Sequence, residues 1–312
     1  MATVVPLLWL VLLLGLTIPP DSETVLDGRA PIQSLYSSYL GLQEMGWHLD
    51  VIAESQPAGT DHPLPIIALR SPRAGPAVWF LSGIHGEEPA GPNALSQAID
   101  DIAALGERRP VVLIPLCNPH GYARNWRYLN VPVYSETIEG QSVGDSSHLL
   151  PDSEDPAKAR AARASSPEAL ALTDYVIRMA EKYPPVYSID LHEDNLLSES
   201  YVYSQGVHGA GDPLAIEAVQ VLQKQGIPIK AGGETRFGER IKGGVIGPVT
   251  DSSIDELMST NRIVVDGQAR TGPSARTVLA FELPTEHLTL EQRVAAYLSL
   301  IKRLSGLISA SP

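Results

Sequence analysis

At 312 residues the chain is long enough to bury a substantial core, as one large α/β domain or two small ones. Its formal net charge of −13, from 36 acidic against 23 basic residues spread along the chain, repels phosphate backbones and argues against a nucleic-acid partner. A single cysteine, Cys117, rules out an intrachain disulfide framework and any multi-cysteine zinc site.

The first feature in chain order is an apolar run from Val4 to Ile18, closed by Pro19 and Pro20. It is short for a membrane span and has the length of a signal h-region, although no Lys or Arg precedes it and no small-x-small cleavage site follows. Residues 1–22 are therefore expected to be a signal peptide or N-terminal anchor, and 30–312 the functional domain, with no membrane span of its own. Export to a periplasm or beyond is the expected location, an uncleaved anchor the alternative.

Short apolar runs then alternate with helical patterns. Ala77–Leu81 runs into Ser82-Gly83-Ile84-His85, and Val111–Leu116 runs through Cys117, a core thiol, into Asn118-Pro119-His120-Gly121. Tyr187–Leu191 leads to His192-Glu193-Asp194, and Val278–Phe281 ends at Glu282. Continuous rather than alternating apolar residues predict strands buried on both faces. Between them a helix is expected over Pro92–Ala104. Ser166-Pro167 caps and opens another to about Lys182, and Leu214–Gln225 forms a third that stops at Gly226. Thr289-x-x-Gln292 is a capping box that starts a last helix to about Leu307. Pro132–Pro156 and Ala231–Thr277 resist a regular reading and are expected to be loop-rich, the second with room for a lid. The alternation predicts one α/β domain with helices on both faces of the sheet.

All four polar clusters fall at the expected carboxyl ends of buried strands, the edge where open α/β sheets bind ligands. His85 and Glu88, three apart on a strand-to-helix turn, can converge on one ion, and Gly86 gives that turn backbone freedom. His192 supplies a third donor from another strand. Two His and one Glu suit zinc and leave its fourth position open. Asp190 shares a strand face with His192 and is placed to orient a histidine. Glu282 ends an apolar strand, where a buried carboxylate needs a partner or a task; acting as base toward a water is such a task. Glu87 reads as a solvated neighbour or a supporting group, and Trp79, Trp126 and Tyr201 as packing residues.

Together, His85-x-x-Glu88, Asp190-Leu191-His192, Phe281-Glu282-Leu283 and Asn118-Pro119-His120-Gly121-Tyr122 followed by Asn125-Trp126-Arg127 resemble the zinc carboxypeptidase family, including its aspartoacylase and succinylglutamate desuccinylase branch. The resemblance spans about residues 75–285. It implies a zinc-carboxypeptidase-like fold, a single α/β domain whose central sheet is mixed and mostly parallel. It implies one Zn2+ held by His85, Glu88 and His192, with Glu282 as general base and Arg127 polarising the scissile carbonyl. Arg124 and Asn125 would bind substrate. His-Gly-Glu-Glu-Pro-Ala-Gly, residues 85–91, is similar to bacterial metallocarboxypeptidases.

The departures concern recognition. The family's Asp-x-Asn-Arg carboxylate clamp is missing after Arg127, and no Tyr occurs between Tyr203 and Tyr297. The acidic run Glu193-Asp194 beside His192 is also unusual. Arg236, Arg240 and Arg276 are the candidates to replace the clamp. The function expected is removal of C-terminal residues from peptides. N-acyl-amino-acid deacylation is the alternative, and a zinc-retaining binding protein without catalysis is a third reading that Glu282 disfavours. The sequence sets no oligomeric state.

Overall fold

The computed structural model describes residues 27–57, 60, 62–130 and 140–310, so the leader expected over 1–22 lies outside the described residues. Helix α1 (Ile32–Glu44) precedes a hairpin of β1 (His48–Ser55) and β2 (Leu64–Arg70), after which β3 (Ala77–Ser82) enters the core. Next come α2 (Ala90–Gln97), α3 (Ile99–Arg108), β4 (Val111–Ile114) and the short α4 (Pro119–Arg124). Then α5 (Pro167–Ala180) leads to β5 (Pro185–Asp194), β6 (Tyr201–Ser204) and α6 (Pro213–Lys224). Three short strands, β7 (Gly232–Glu234), β8 (Arg240–Lys242) and β9 (Val245–Ile246), precede α7 (Ile254–Ser259). A small hairpin of β10 (Arg262–Val265) and β11 (Gln268–Thr271), then β12 (Thr277–Pro284) and α8 (Leu290–Ala310), complete the chain.

Ten of the strands form one mixed sheet in the order β1-β2-β4-β3-β5-β12-β6-β9-β8-β7. Its middle, β4-β3-β5-β12, is parallel throughout. Antiparallel strands join on either side, β2 against β4 and β6 against β12. The middle strands are buried on both faces, which is why they read as unbroken apolar runs. Along β3, Val78 and Phe80 face a core built with α1, α2, α3, α6 and α8, where Tyr36, Leu95, Leu222 and Tyr297 pack. Trp79 and Leu81 face the opposite core, under α5 and α7, with Leu172, Tyr175 and Leu257. Cys117 is buried in that second core.

Two helix caps match their sequence signals. Ser166 Oγ accepts from Ala169 N at 3.0 Å with Pro167 next to it, and Thr289 and Gln292 exchange their capping-box hydrogen bonds at 2.8 and 3.2 Å. The helix expected over Pro92–Ala104 is instead two, broken at Ala98, whose φ and ψ of −94° and 14° leave the helical range. No Gly or Pro marks the break.

The region Ala231–Thr277, expected to be loop-rich, holds five strands and α7. Strands of two to four residues are too short to show a period, and their turns sit on Gly238, Gly243, Gly244 and Gly267 at positive φ. Within the other irregular stretch, residues 140–156 carry turns and a single bridge from Pro151 to Ala159. No helix among the described residues is long and apolar enough to cross a membrane.

Trp79 is fully buried, and its indole N–H donates to Tyr183 O at 2.9 Å. Trp79→Ala is expected to cost about 3–5 kcal/mol. In a denaturant titration the midpoint should fall while the slope stays constant.

Candidate metal centre and cleft

Because β3 and β5 pair in parallel, with Ser82 opposite Leu191, the chain leaves both strands at the same edge. After β3 it turns through Gly83, at φ +62°, where a Cβ would meet Leu116 at 2.7 Å. That turn presents His85 and Glu88 before α2 begins at Ala90. Gly86 is required for a different reason from the one its position suggests. Its φ is not positive, but a Cβ there would overlap the backbone of Gly121 in α4. Two backbones touch at this point, and only glycine permits it.

Arg29 locks that contact. It is buried, donates to Gly86 O at 3.1 Å and Tyr122 O at 2.5 Å, and reaches Asn125 Oδ1 at 2.7 Å while pairing with Asp27 at 2.6 Å. Sequence reasoning missed Arg29. It stands 57 positions before Gly86, outside every motif.

His85 Nδ1 lies 2.7 Å from Glu88 Oε1, and His192 Nδ1 lies 2.8 Å from Glu88 Oε2. The two imidazole nitrogens are 3.2 Å apart, and the candidate ligand atoms of the three residues all fall within 4.8 Å of one another. The two ring nitrogens and the Glu88 carboxylate are thus gathered around one point. Such a donor set fits a zinc ion with one open coordination position.

The surrounding charges favour the same occupant. Burial pushes the His85 imidazole down to about 4, so it is neutral and ready to ligate at physiological pH. Burial alone would lower His192 as well, but Asp190 and Glu88 on either side push it well up. Glu88 shows the mirror image: burial would raise its carboxyl, and the two histidines hold it well below the usual carboxylate range.

Asp190, fully buried, sits 3.1 Å from His192 Nε2, an ion-pair contact without hydrogen-bond alignment, and the Tyr297 hydroxyl donates to the His192 carbonyl. Glu193 has a structural task despite its neighbour: its carboxylate accepts from Ala90 N at 2.6 Å, capping the start of α2. It also lies 2.8 Å from Arg293 Nε, an ion-pair contact without hydrogen-bond alignment.

Glu282 is directly opposite His192 in the β5–β12 ladder and shares its side of the sheet. Burial pushes its carboxyl up to about 8, with His192 and Arg127 acting against Glu88 and Asp194. A divalent cation among the three donors would draw it back toward the carboxylate. Arg127 Nη1 lies 3.1 Å from both Glu87 and Glu88, so Glu87 is an anchor for the guanidinium.

These groups open into a cleft of about 790 Å³ lined by His85, Arg127, His192 and Glu282. Arg124 and Asn125 do not line it. Arg124 is exposed at the end of α4, and Asn125 holds Arg29 and faces a smaller hollow of about 320 Å³. Of the three arginines weighed as a replacement clamp, only Arg236 lines the cleft, paired to Asp194 at 2.6 Å. Arg276 instead reaches His208 at 3.3 Å.

No family model and no curated protein matches the chain by sequence. Its backbone, however, superposes on solved structures. A candidate metallopeptidase from Shewanella baltica aligns with a TM-score of 0.66 at 24% identity, over 88% of this chain and 91% of that one. The chain has a metallocarboxypeptidase fold. A Shewanella amazonensis candidate metallopeptidase gives 0.66 at 23% identity, over 90% and 94% of the two chains. Carboxypeptidase A from Helicoverpa armigera gives 0.57 at 13%, over 94% and 76%.

If this cluster holds zinc, Asp190→Asn is expected to weaken its retention roughly 10–100-fold, as loss of a carboxylate behind a ligating histidine does. Competition with a chromogenic chelator measures it; unchanged affinity would show that the 3.1 Å contact orients nothing.

Proposed function

We propose that the chain is a zinc-dependent metallocarboxypeptidase that hydrolyses C-terminal peptide bonds. The observation that carries the proposal is the placement of Glu282 opposite His192, beside a His85–Glu88–His192 donor cluster and Arg127, at the mouth of one open cleft. Zinc bound by that cluster would supply Lewis acidity toward a carbonyl oxygen and lower the pKa of a water.

The chain's own residues account for the rest. Glu282 takes the proton of the attacking water and hands it to the leaving amine nitrogen. Arg127, kept in place by Glu87 and Glu88, donates to the oxyanion that develops on the scissile carbonyl. Arg236 is the cleft's other guanidinium and is the group we assign to the free C-terminal carboxylate.

The charge of the cleft favours a peptide over the small acidic substrates of a deacylase. Six acidic residues line it (Glu193, Asp194, Glu239, Asp251, Asp255 and Glu282) against Arg127 and Arg236. Exposed Phe237 on its wall offers apolar contact to a longer chain.

Glu282→Gln should keep one zinc per chain and lower kcat by roughly 10²–10⁴-fold on peptides with a free carboxyl terminus. Mass spectrometry of stepwise C-terminal loss, with metal content measured on the same sample, tests it. Full turnover in the zinc-loaded variant would sink the assignment. Arg127→Ala should cost roughly 10²–10³-fold in kcat. An effect confined to KM would show that it binds substrate without acting on the oxyanion.

A further inference from the structure

Arg29 stands ahead of α1 and lines neither the cleft nor the smaller hollow beside it. It is nonetheless buried, and every N–H of its guanidinium is used. Nε donates to the Asp27 carboxylate at 2.9 Å, and Nη2 donates to Asp27 at 2.6 Å and to Asn125 Oδ1 at 2.7 Å. Nη1 serves two backbone carbonyls at once, Gly86 O at 3.1 Å and Tyr122 O at 2.5 Å. The group lies over the Tyr122 ring, 4.8 Å from its centroid. A planar fork of this kind belongs to arginine alone; lysine brings its donors on a single nitrogen and cannot span these acceptors.

The acceptors are what give the contact a function. Gly86 lies between His85 and Glu88, the two metal donors of one turn. Tyr122 and Asn125 form the end of α4, where Asn125 adopts the left-handed conformation at φ 54° and reverses the chain. Trp126 N then donates back to Gly121 O at 2.8 Å, and Arg127 follows directly. Because one nitrogen holds a carbonyl from each segment, neither can shift against the other without breaking the pair. The same stretch is stitched to α2: Ala30 N donates to Asn93 Oδ1 at 2.9 Å, and the Tyr122 hydroxyl donates to Ala30 O at 2.8 Å.

We infer that Arg29 is a positioning residue of the metal centre, holding the His85–Glu88 turn in register with the turn that carries Arg127. Resting on the reading of this cluster as a zinc site and of Arg127 as the carbonyl-polarising group, Arg29 sets both how tightly the donors converge and where Arg127 stands beside them. Loss of groups that orient metal ligands costs roughly 10–100-fold in affinity, and a displacement of about 1 Å costs on the order of 10²-fold in rate.

The test uses the full zinc-loaded chain in its native form and as Arg29→Lys and Arg29→Ala. Arg70→Lys is the control for losing a clamp as such: Arg70 holds Asp50 through two hydrogen bonds, at 2.5 and 2.9 Å, and neither residue lines the cleft. Zinc affinity is read by chelator competition, below the temperature at which thermal melts show any variant unfolding. The kcat and KM are read at saturating zinc on a peptide with a free carboxyl terminus. Arg29→Lys should weaken zinc retention roughly 10-fold or more and lower kcat roughly 10²-fold while KM holds. Arg70→Lys should lower the melting midpoint and leave affinity and kcat as they are. If Arg29→Ala does not fold, Arg29→Lys carries the comparison.

An Arg29→Lys chain that loses thermal stability but keeps native zinc affinity and kcat overturns the inference and leaves the metal site standing. A change confined to KM overturns it too, because Arg29 would then act on substrate binding. Weaker zinc retention in Arg29→Lys, when the native chain cleaves no peptide, supports the positioning role and removes the carboxypeptidase reading. A native chain that retains no zinc defeats the metal reading, and the inference with it.

Discussion

Two imidazole nitrogens 3.2 Å apart, facing the two oxygens of a single buried carboxylate, impose the constraint around which this molecule is organised. That arrangement removes a carboxylate and two ring nitrogens from water together, a cost that a cation at their focus would offset. The neighbouring elements hold the three groups in place. Parallel pairing of β3 with β5 brings the two histidine-bearing chain segments to one edge. Contact between Gly86 and Gly121, clamped by Arg29, sets the path of the loop between β3 and α2. Glu193 and Tyr297 then tie the end of β5 to α2 and α8, so both walls of the site rest on rigid helices.

The middle of the fold was legible because its physics is local. A strand buried on both faces has to be apolar along its length, and β3, β4, β5 and β12 announce themselves that way. Ser166-Pro167 and Thr289-x-x-Gln292 were equally readable, since a cap is written within four residues. The chain order of the polar clusters after those strands pointed to one sheet edge, and the structure brings His85, Glu88, His192, Asp190 and Glu282 there.

What stayed hidden depends on distance or on very short elements. Arg29 supports the loop from 57 residues away, and nothing in its own neighbourhood signals that task. Glu193 looked like excess charge beside a candidate ligand, because its partners Ala90 and Arg293 are about a hundred residues off in either direction. The break at Ala98 has no sequence marker, and β7, β8 and β9 are too short to show a period. It is these little strands that widen the sheet beyond β6 and carry Arg236, Phe237 and Glu239 to the cleft. The candidate metal cluster thus sits on the readable part of the chain, and the short strands that complete the cleft on the unreadable part.

The central claim is that His85, Glu88 and His192 are one zinc site. Diffraction from crystals of the zinc-loaded chain, collected on both sides of the zinc absorption edge, addresses it without reference to any substrate. The account predicts a single anomalous peak at about 2.0–2.2 Å from His85 Nδ1, His192 Nδ1 and a Glu88 oxygen. A peak held elsewhere, for instance by Asp190 and Asp255 behind His192, or no peak at all, would contradict it.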